Sequence, residues 1–292
     1  MPALRPLLAA ASVLLVLPAL AACGAPEDET TNSSTSGSSA TSASCTKDSL
    51  KTLKAGTLTV GTDKPAYEPW FSDNDPSNGK GYESAVAYAV ADRLGYAENE
   101  VAWVTVPFSS AYAPGKKTFD LDLNQVSISA ERSKAVDFSS GYYDVRQAVV
   151  SYQGSPIAGT TNVADLRSAK LGAMVGSTSL KALTDTIKPS AQAAVYDSND
   201  AAVQALKNKQ VDGIVVDLPT AFYMTTAQLD DGVIVGQLPA QGSATEQFGA
   251  VLDKGSSLTP CVSQAVDALR QDGTLEKLAK QYLTGAGAPE LK

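Results

Sequence analysis

From about Thr46 to Leu283, short apolar runs of strand length alternate with stretches whose apolar residues recur at helical spacing. That alternation constrains the chain more than any other feature, because strands and helices taken in turn pack as an α/β domain. Leu58 to Gly61 reads as a strand ending in Thr62-Asp63-Lys64-Pro65, and Val101 to Val106 as another. Glu83 to Leu94 reads as a helix that stops at Gly95. Leu171 to Val175 is a strand, and Gly176-Ser177-Thr178-Ser179 after it opens a helix. Asn199-Asp200 caps a helix through about Lys207, and Val211 to Val216 is an apolar strand ending at Asp217. Leu258 to Arg270 and Thr274 to Leu283 are helices split by Gly273, and no internal repeat is present. Ligands of open α/β sheets sit beyond the carboxyl ends of the strands. The candidates are therefore Asp63, Phe108, Gln125, Ser127, Ser177, Thr178 and Asp217.

The 292 residues are 43% apolar and 18% charged, the balance of a soluble globular protein. A formal net charge of −8 excludes a nucleic-acid footprint. There is no histidine. That removes Ser-His and Cys-His nucleophiles, histidine bases and most zinc and non-haem iron sites. Three cysteines are too few for a cluster held by cysteine alone. Neither metal nor cofactor is expected. What survives is a binding protein, or an enzyme working through carboxylates, lysine or tyrosine.

Residues 1–22 read as an export leader: Arg5 is followed by an apolar stretch from Leu7 to Ala22, broken by Pro18 and short for a membrane span. Leu20-Ala21-Ala22-Cys23 resembles the lipobox of bacterial lipoproteins. That resemblance implies a diacylglycerol on Cys23, which holds a protein on a membrane without spanning it. The alternative is an ordinary Ala-x-Ala cleavage with a spare cysteine. Residues 23–45 read as a tether, since 24–44 hold no large apolar side chain and cannot offset ordering entropy by burial. The expected location is the outer face of the cytoplasmic membrane. Cys45 and Cys261 remain; in an oxidising compartment an even pair is usually a disulfide, the alternative being two separate buried thiols.

Leu58 to Asp63, Gly81 to Ala87 and Leu94-Gly95 resemble extracellular solute-binding proteins of family 3, the amino-acid receptors of ABC importers. Ser127 to Arg132, followed by Val136 to Ser139 and Tyr142-Tyr143, is similar to the family's most diagnostic motif. Asp165-Leu166, Gly176 to Thr178, Val211 to Asp217 and Asp272 to Leu278 continue the likeness in order, over about residues 50–285. The resemblance implies a two-lobed periplasmic-binding-protein-like fold (type II) with a hinge of two crossing segments, near Arg146–Tyr152 and Glu246–Leu252. Lobe 1 would hold residues 46–150 and 247–292, and lobe 2 residues 151–246. Cys45 and Cys261 then share a lobe, which favours the disulfide.

A free amino acid carries a carboxylate and an ammonium, and burying either unpaired is costly. Arg132 matches the family arginine, and its planar fork can bind both carboxylate oxygens. Ser127 can donate to the same carboxylate, while Ser177 and Thr178 open a helix whose N-terminus attracts anions. Asp217 matches the family's partner for the α-ammonium. Asp63, Tyr67 and Phe108, with Asn124, Gln125 and Met174, resemble the pocket wall; Trp70 is expected at its rim and Trp103 in the core. Asp63 disfavours an acidic ligand, and Asn124 and Gln125 offer neutral hydrogen bonds, so a polar neutral or cationic amino acid is favoured.

The resemblance implies a monomeric, non-enzymatic receptor that delivers its amino acid to a membrane permease driven by an ATPase. One competitor is an enzyme like the cyclohexadienyl dehydratases that share the fold, with Asp217 and Asp63 as acids. The other is a sensory domain, which usually continues into a transmembrane segment; the sequence ends at Lys292 without one.

Overall fold

The computed structural model describes residues 45–240, 245–283 and 287–292; the leader, Cys23 and tether residues 24–44 lie outside the described residues. The strands are β1 (Leu58–Thr62), β2 (Val101–Thr105), β3 (Leu121–Asp122), β4 (Asp137–Val145), β5 (Gln147–Tyr152), β6 (Leu171–Met174), β7 (Ala194–Tyr196), β8 (Gly213–Asp217), β9 (Gly232–Gln237) and β10 (Glu246–Leu252). The helices are α1 (Tyr82–Arg93), α2 (Phe108–Ala111), α3 (Thr178–Ala182), α4 (Asn199–Lys207), α5 (Leu218–Tyr223), α6 (Thr259–Gln271) and α7 (Thr274–Tyr282).

The strands make two sheets, ordered β2-β1-β3-β10-β4 and β7-β6-β8-β5-β9. In the first, β1 is parallel to β2 and β3, and β10 returns antiparallel between β3 and β4. In the second, β6 is parallel to β7 and β8, and β5 is antiparallel to β8 and β9. The period-two pattern of β1 turns Leu58 and Val60 into a core they share with Val86 and Val90 of α1 and Val262 and Val266 of α6. Each such aliphatic side chain contributes about 1.5–3 kcal/mol when fully buried. Every residue of β5 is buried. Val149 faces one core of the second sheet, and Ala148 and Val150 face the other, so the middle of this strand is apolar on both faces. Gly61 has to be glycine: paired with Asp122, a Cβ there would lie 2.6 Å from Asp122 Oδ2.

Cys45 and Cys261 are bonded to one another, tying the first described residue to α6. Gly273, with φ of +80°, breaks α6 from α7. Helix α4 is capped one position earlier than the sequence suggests, because Ser198 Oγ accepts from Ala201 N at 3.2 Å.

Three features differ from the expected layout. The chain changes sheet at Arg146, so β5 lies inside the second sheet and the boundary falls before Gln147, not after residue 150. The return crossing precedes Glu246, with β10 already in the first sheet. The tail does not stay with lobe 1: Gln237 N donates to Pro289 O at 2.8 Å and Leu291 N to Gln237 O at 2.9 Å. Leu291, 2% exposed, packs in the second sheet's core with Val149 and Val235. An apolar residue near a chain end has no periodic context, so only long-range packing shows where it is buried.

Candidate functional site

The carboxyl ends of the parallel strands in both sheets face one cleft. On the first lobe, Asp63 follows β1, Phe108 opens α2, and Asn124 and Gln125 follow β3. Gln125 holds a φ of +50°, strained for a residue with a side chain. Glu83, at the start of α1, restrains it by accepting from Gln125 N at 2.8 Å, from Gln125 Nε2 and from the Tyr142 hydroxyl. Glu83 is 0% exposed, and burial pushes it up to about 7. The sequence reading missed this residue, which there is only the first position of a helix.

Ser127 is fixed by a bridge to Phe248 of β10. Its hydroxyl donates to Glu246 Oε1 at 2.6 Å and lies 3.1 Å from Thr178 Oγ1. Arg132 stands on a single turn, Arg132–Lys134. Its Nη1 donates to Ser127 O at 2.8 Å, its Nη2 to Gly176 O at 2.9 Å, and its guanidinium stacks 4.4 Å from the Tyr112 ring.

On the second lobe, Met174 ends β6, and Ser177 caps α3 by accepting from Leu180 N at 3.0 Å. Asp217 ends β8 and accepts from Gln147 Nε2 at 2.9 Å. Burial and the neighbouring Glu246 carboxylate push Asp217 up to about 7; Gln147 and Arg132 act in the opposite direction. Tyr67, whose hydroxyl lies 3.4 Å from Asp200 Oδ2 across the cleft, is pushed up to about 12 by burial, Asp200 and Asp63.

Asp63, Tyr67, Phe108, Asn124, Gln125, Met174, Ser177, Thr178 and Asp217 line one cavity, together with Ser179, Asn199 and Val216, which the sequence reading did not name. Arg132 and Ser127 are not on its wall; they lie beside it, bonded to Gly176 and Thr178 of the other lobe. Trp70 is not at the rim. It is 0% exposed, and its Nε1 donates to Thr220 Oγ1 of α5 at 3.1 Å. The cavity has a volume of about 30 Å³, and the lobes meet beside it through Arg132–Gly176, Ser127–Thr178 and Trp70–Thr220. Gln147 and Glu246 were also missed as site residues, because they follow the two crossings and carry no local pattern. Among the described residues no group of histidine, cysteine, aspartate and glutamate could hold a metal ion, and no helix is long and apolar enough to cross a membrane.

Two mixed sheets closing on a cleft of strand tips define a type II periplasmic-binding-protein-like architecture. Residues 58–285 match the bacterial extracellular solute-binding proteins, family 3, and the chain belongs to that family. It is 27% identical over 235 residues to the L-cystine-binding protein TcyJ of Escherichia coli (strain K12), covering 80% of this chain and 84% of that one. It is 27% identical over 232 residues to the arginine-binding extracellular protein ArtP of Bacillus subtilis (strain 168), covering 78% and 86%. Among solved structures, an ancestral arginine-binding protein bound to glutamine matches at 28% identity and a TM-score of 0.65, over 78% of this chain and 98% of that one. The ancestral amino acid-binding protein AncCDT-1, a precursor of cyclohexadienyl dehydratase, matches at 28% identity and a TM-score of 0.64, over 78% and 96%.

Proposed function

We propose that this chain is the receptor of an ABC importer, capturing a free amino acid between its lobes and delivering it to a membrane permease and its ATPase. The observation that carries the reading is the placing of one guanidinium, Arg132, and one carboxylate, Asp217, on opposite lobes beside one cavity. Arg132 gives two of its five donors to the carbonyls of Ser127 and Gly176, keeping others for a ligand carboxylate. Thr178 adds a hydroxyl, while the protons of Ser127 and Ser177 are given to Glu246 and to Met174 O; Asp217 takes the ammonium. About 30 Å³ holds roughly two waters, so an amino acid enters only when the lobes part. It contacts both lobes only when they close, and binding energy therefore favours closure.

Asp63 and Asp200 near Tyr67 favour a polar neutral or cationic side chain and disfavour an acidic one. Relatives named for cystine and for arginine are in keeping with that preference. The anchor is a lipid on Cys23, with residues 24–44 as tether, and the lobes work as a monomer outside the cytoplasmic membrane.

The test is thermal unfolding of residues 43–292 against the twenty amino acids, ornithine, citrulline and cystine. A ligand at a hundred times its dissociation constant adds about 2.7 kcal/mol, a shift of several degrees. Stabilisation by one or two polar or cationic amino acids is expected; no shift from any of them refutes the receptor reading. One observation favours a second reading: burial and the Glu246 carboxylate push Asp217 up to about 7, and a general acid works best when its value lies near the operating pH. Turnover of prephenate or arogenate would establish a dehydratase instead.

A further inference from the structure

Asp217 is not the only carboxylate at the ammonium end of the cleft. Glu246, first residue of β10, and Gln147, first residue of β5, directly follow the two crossings. The Gln147 amide is oriented, because its Oε1 accepts from Ser179 Oγ at 2.7 Å. Its Nε2 consequently points at the acids, lying 2.9 Å from Asp217 Oδ1 and 3.4 Å from each oxygen of Glu246. One neutral amide thus bridges two carboxylates. Among the described residues no lysine or arginine nitrogen lies within 4.0 Å of either. An ammonium brings one positive charge and three N–H donors, which Asp217 on the cavity wall and Glu246, beside the wall and on the other lobe, can share across the Gln147 amide.

Resting on the receptor reading, we propose that Glu246 is a second anionic partner of the ligand's α-ammonium, seated with Asp217, and that Gln147 is the positioning residue between them. The charged and titratable groups facing this pair are Arg132 beyond β3, Glu83 on α1 and Tyr143 on β4. Of these only Arg132 is a cation, and it is engaged with the carbonyls of Ser127 and Gly176. Glu246 also accepts from Ser127, so it couples the carboxylate and ammonium ends of the site.

The experiment is calorimetric titration of the protein and its E246Q and E246A variants with L-arginine, L-glutamine and L-cystine, and with the desamino analogue of whichever binds. E246Q is expected to weaken the amino acid about tenfold, the scale of one charge-assisted contact, while the ligand-free melting temperature stays level or rises, because one of two crowded like charges is gone. The desamino analogue is expected to bind wild type and E246Q alike; a purely structural Glu246 would not separate the two ligands. E246A repeats the test without an amide at that position. Equal affinity of wild type and both variants for the amino acid overturns the proposal, as does an equal loss for the desamino analogue. A wild-type protein that binds none of the three, nor any other amino acid, overturns the receptor reading itself.

Discussion

Trp70 and Thr220 join the lobes away from the cavity: the indole Nε1 donates to the threonine Oγ1 at 3.1 Å, and both residues are buried. Trp70 is set by edge contacts with Tyr82, Tyr143 and Phe248 of its own lobe. The donor is therefore pre-aimed and meets its acceptor only on closure. Thr220→Val would leave that N–H buried and unpaired in the closed form alone, at about 1–3 kcal/mol. We expect ligand affinity to fall about tenfold and solution scattering to show a more open ligand-free protein. Unchanged affinity would show that this bond does not help hold the lobes together.

Arg132→Ala should cost about 3–5 kcal/mol of binding, because a buried ligand carboxylate is left unpaired. The loss also releases the tie from Arg132 Nη2 to Gly176 O across the cleft. Calorimetry with the stabilising amino acid checks this, and unchanged affinity removes Arg132 from the site.

The contribution of Glu83 and Asp217 to the stability of the ligand-free protein should fall as pH rises from about 4 to about 7. Glu83 is raised from 4.5 and Asp217 from 3.8, each to about 7. Across that window the folded chain keeps protons that the unfolded chain has lost, so the contribution of these two groups is full at low pH and is lost as pH rises through the folded value. Urea unfolding at several pH values should show a shallower fall for Glu83→Gln than for wild type.

Ligand affinity should move the other way. An ammonium pairs with ionised Asp217, which must shed its proton below about 7, so binding tightens as pH rises from about 6 to about 8. Asp217→Asn should bind weakly with a flatter pH profile, and calorimetry across the range is the check. A wild-type affinity independent of pH would separate Asp217 from the ammonium.

The Cys45–Cys261 bond spans 216 residues of sequence. Loop closure on that scale is worth roughly 4–5 kcal/mol in the chain-entropy model. Reduction, or Cys45→Ser with Cys261→Ser, should lower the denaturation midpoint toward that limit. Binding should be unchanged, because neither cysteine lines the cleft.

Periodicity and turn chemistry alone determined the α/β class, most of α1, α4, α6 and α7, the helix that opens after Gly176, and all of the strand-tip candidates on the cavity wall, with Ser127 beside it. Those signals are local: alternation says which face of a strand is buried, and a Gly or Ser at a boundary says where an element ends. The two-residue β3, the sheet change at Arg146 and the return of Leu291 to the second core leave no such trace. Glu83, Gln147, Asp217 and Glu246 lie far apart in the chain and sit on four different elements. Only the two crossings and the closing of one lobe on the other bring their polar ends together. Their burial, the crowding of like charge and the raised acid values follow from that long-range packing, which no window of sequence contains.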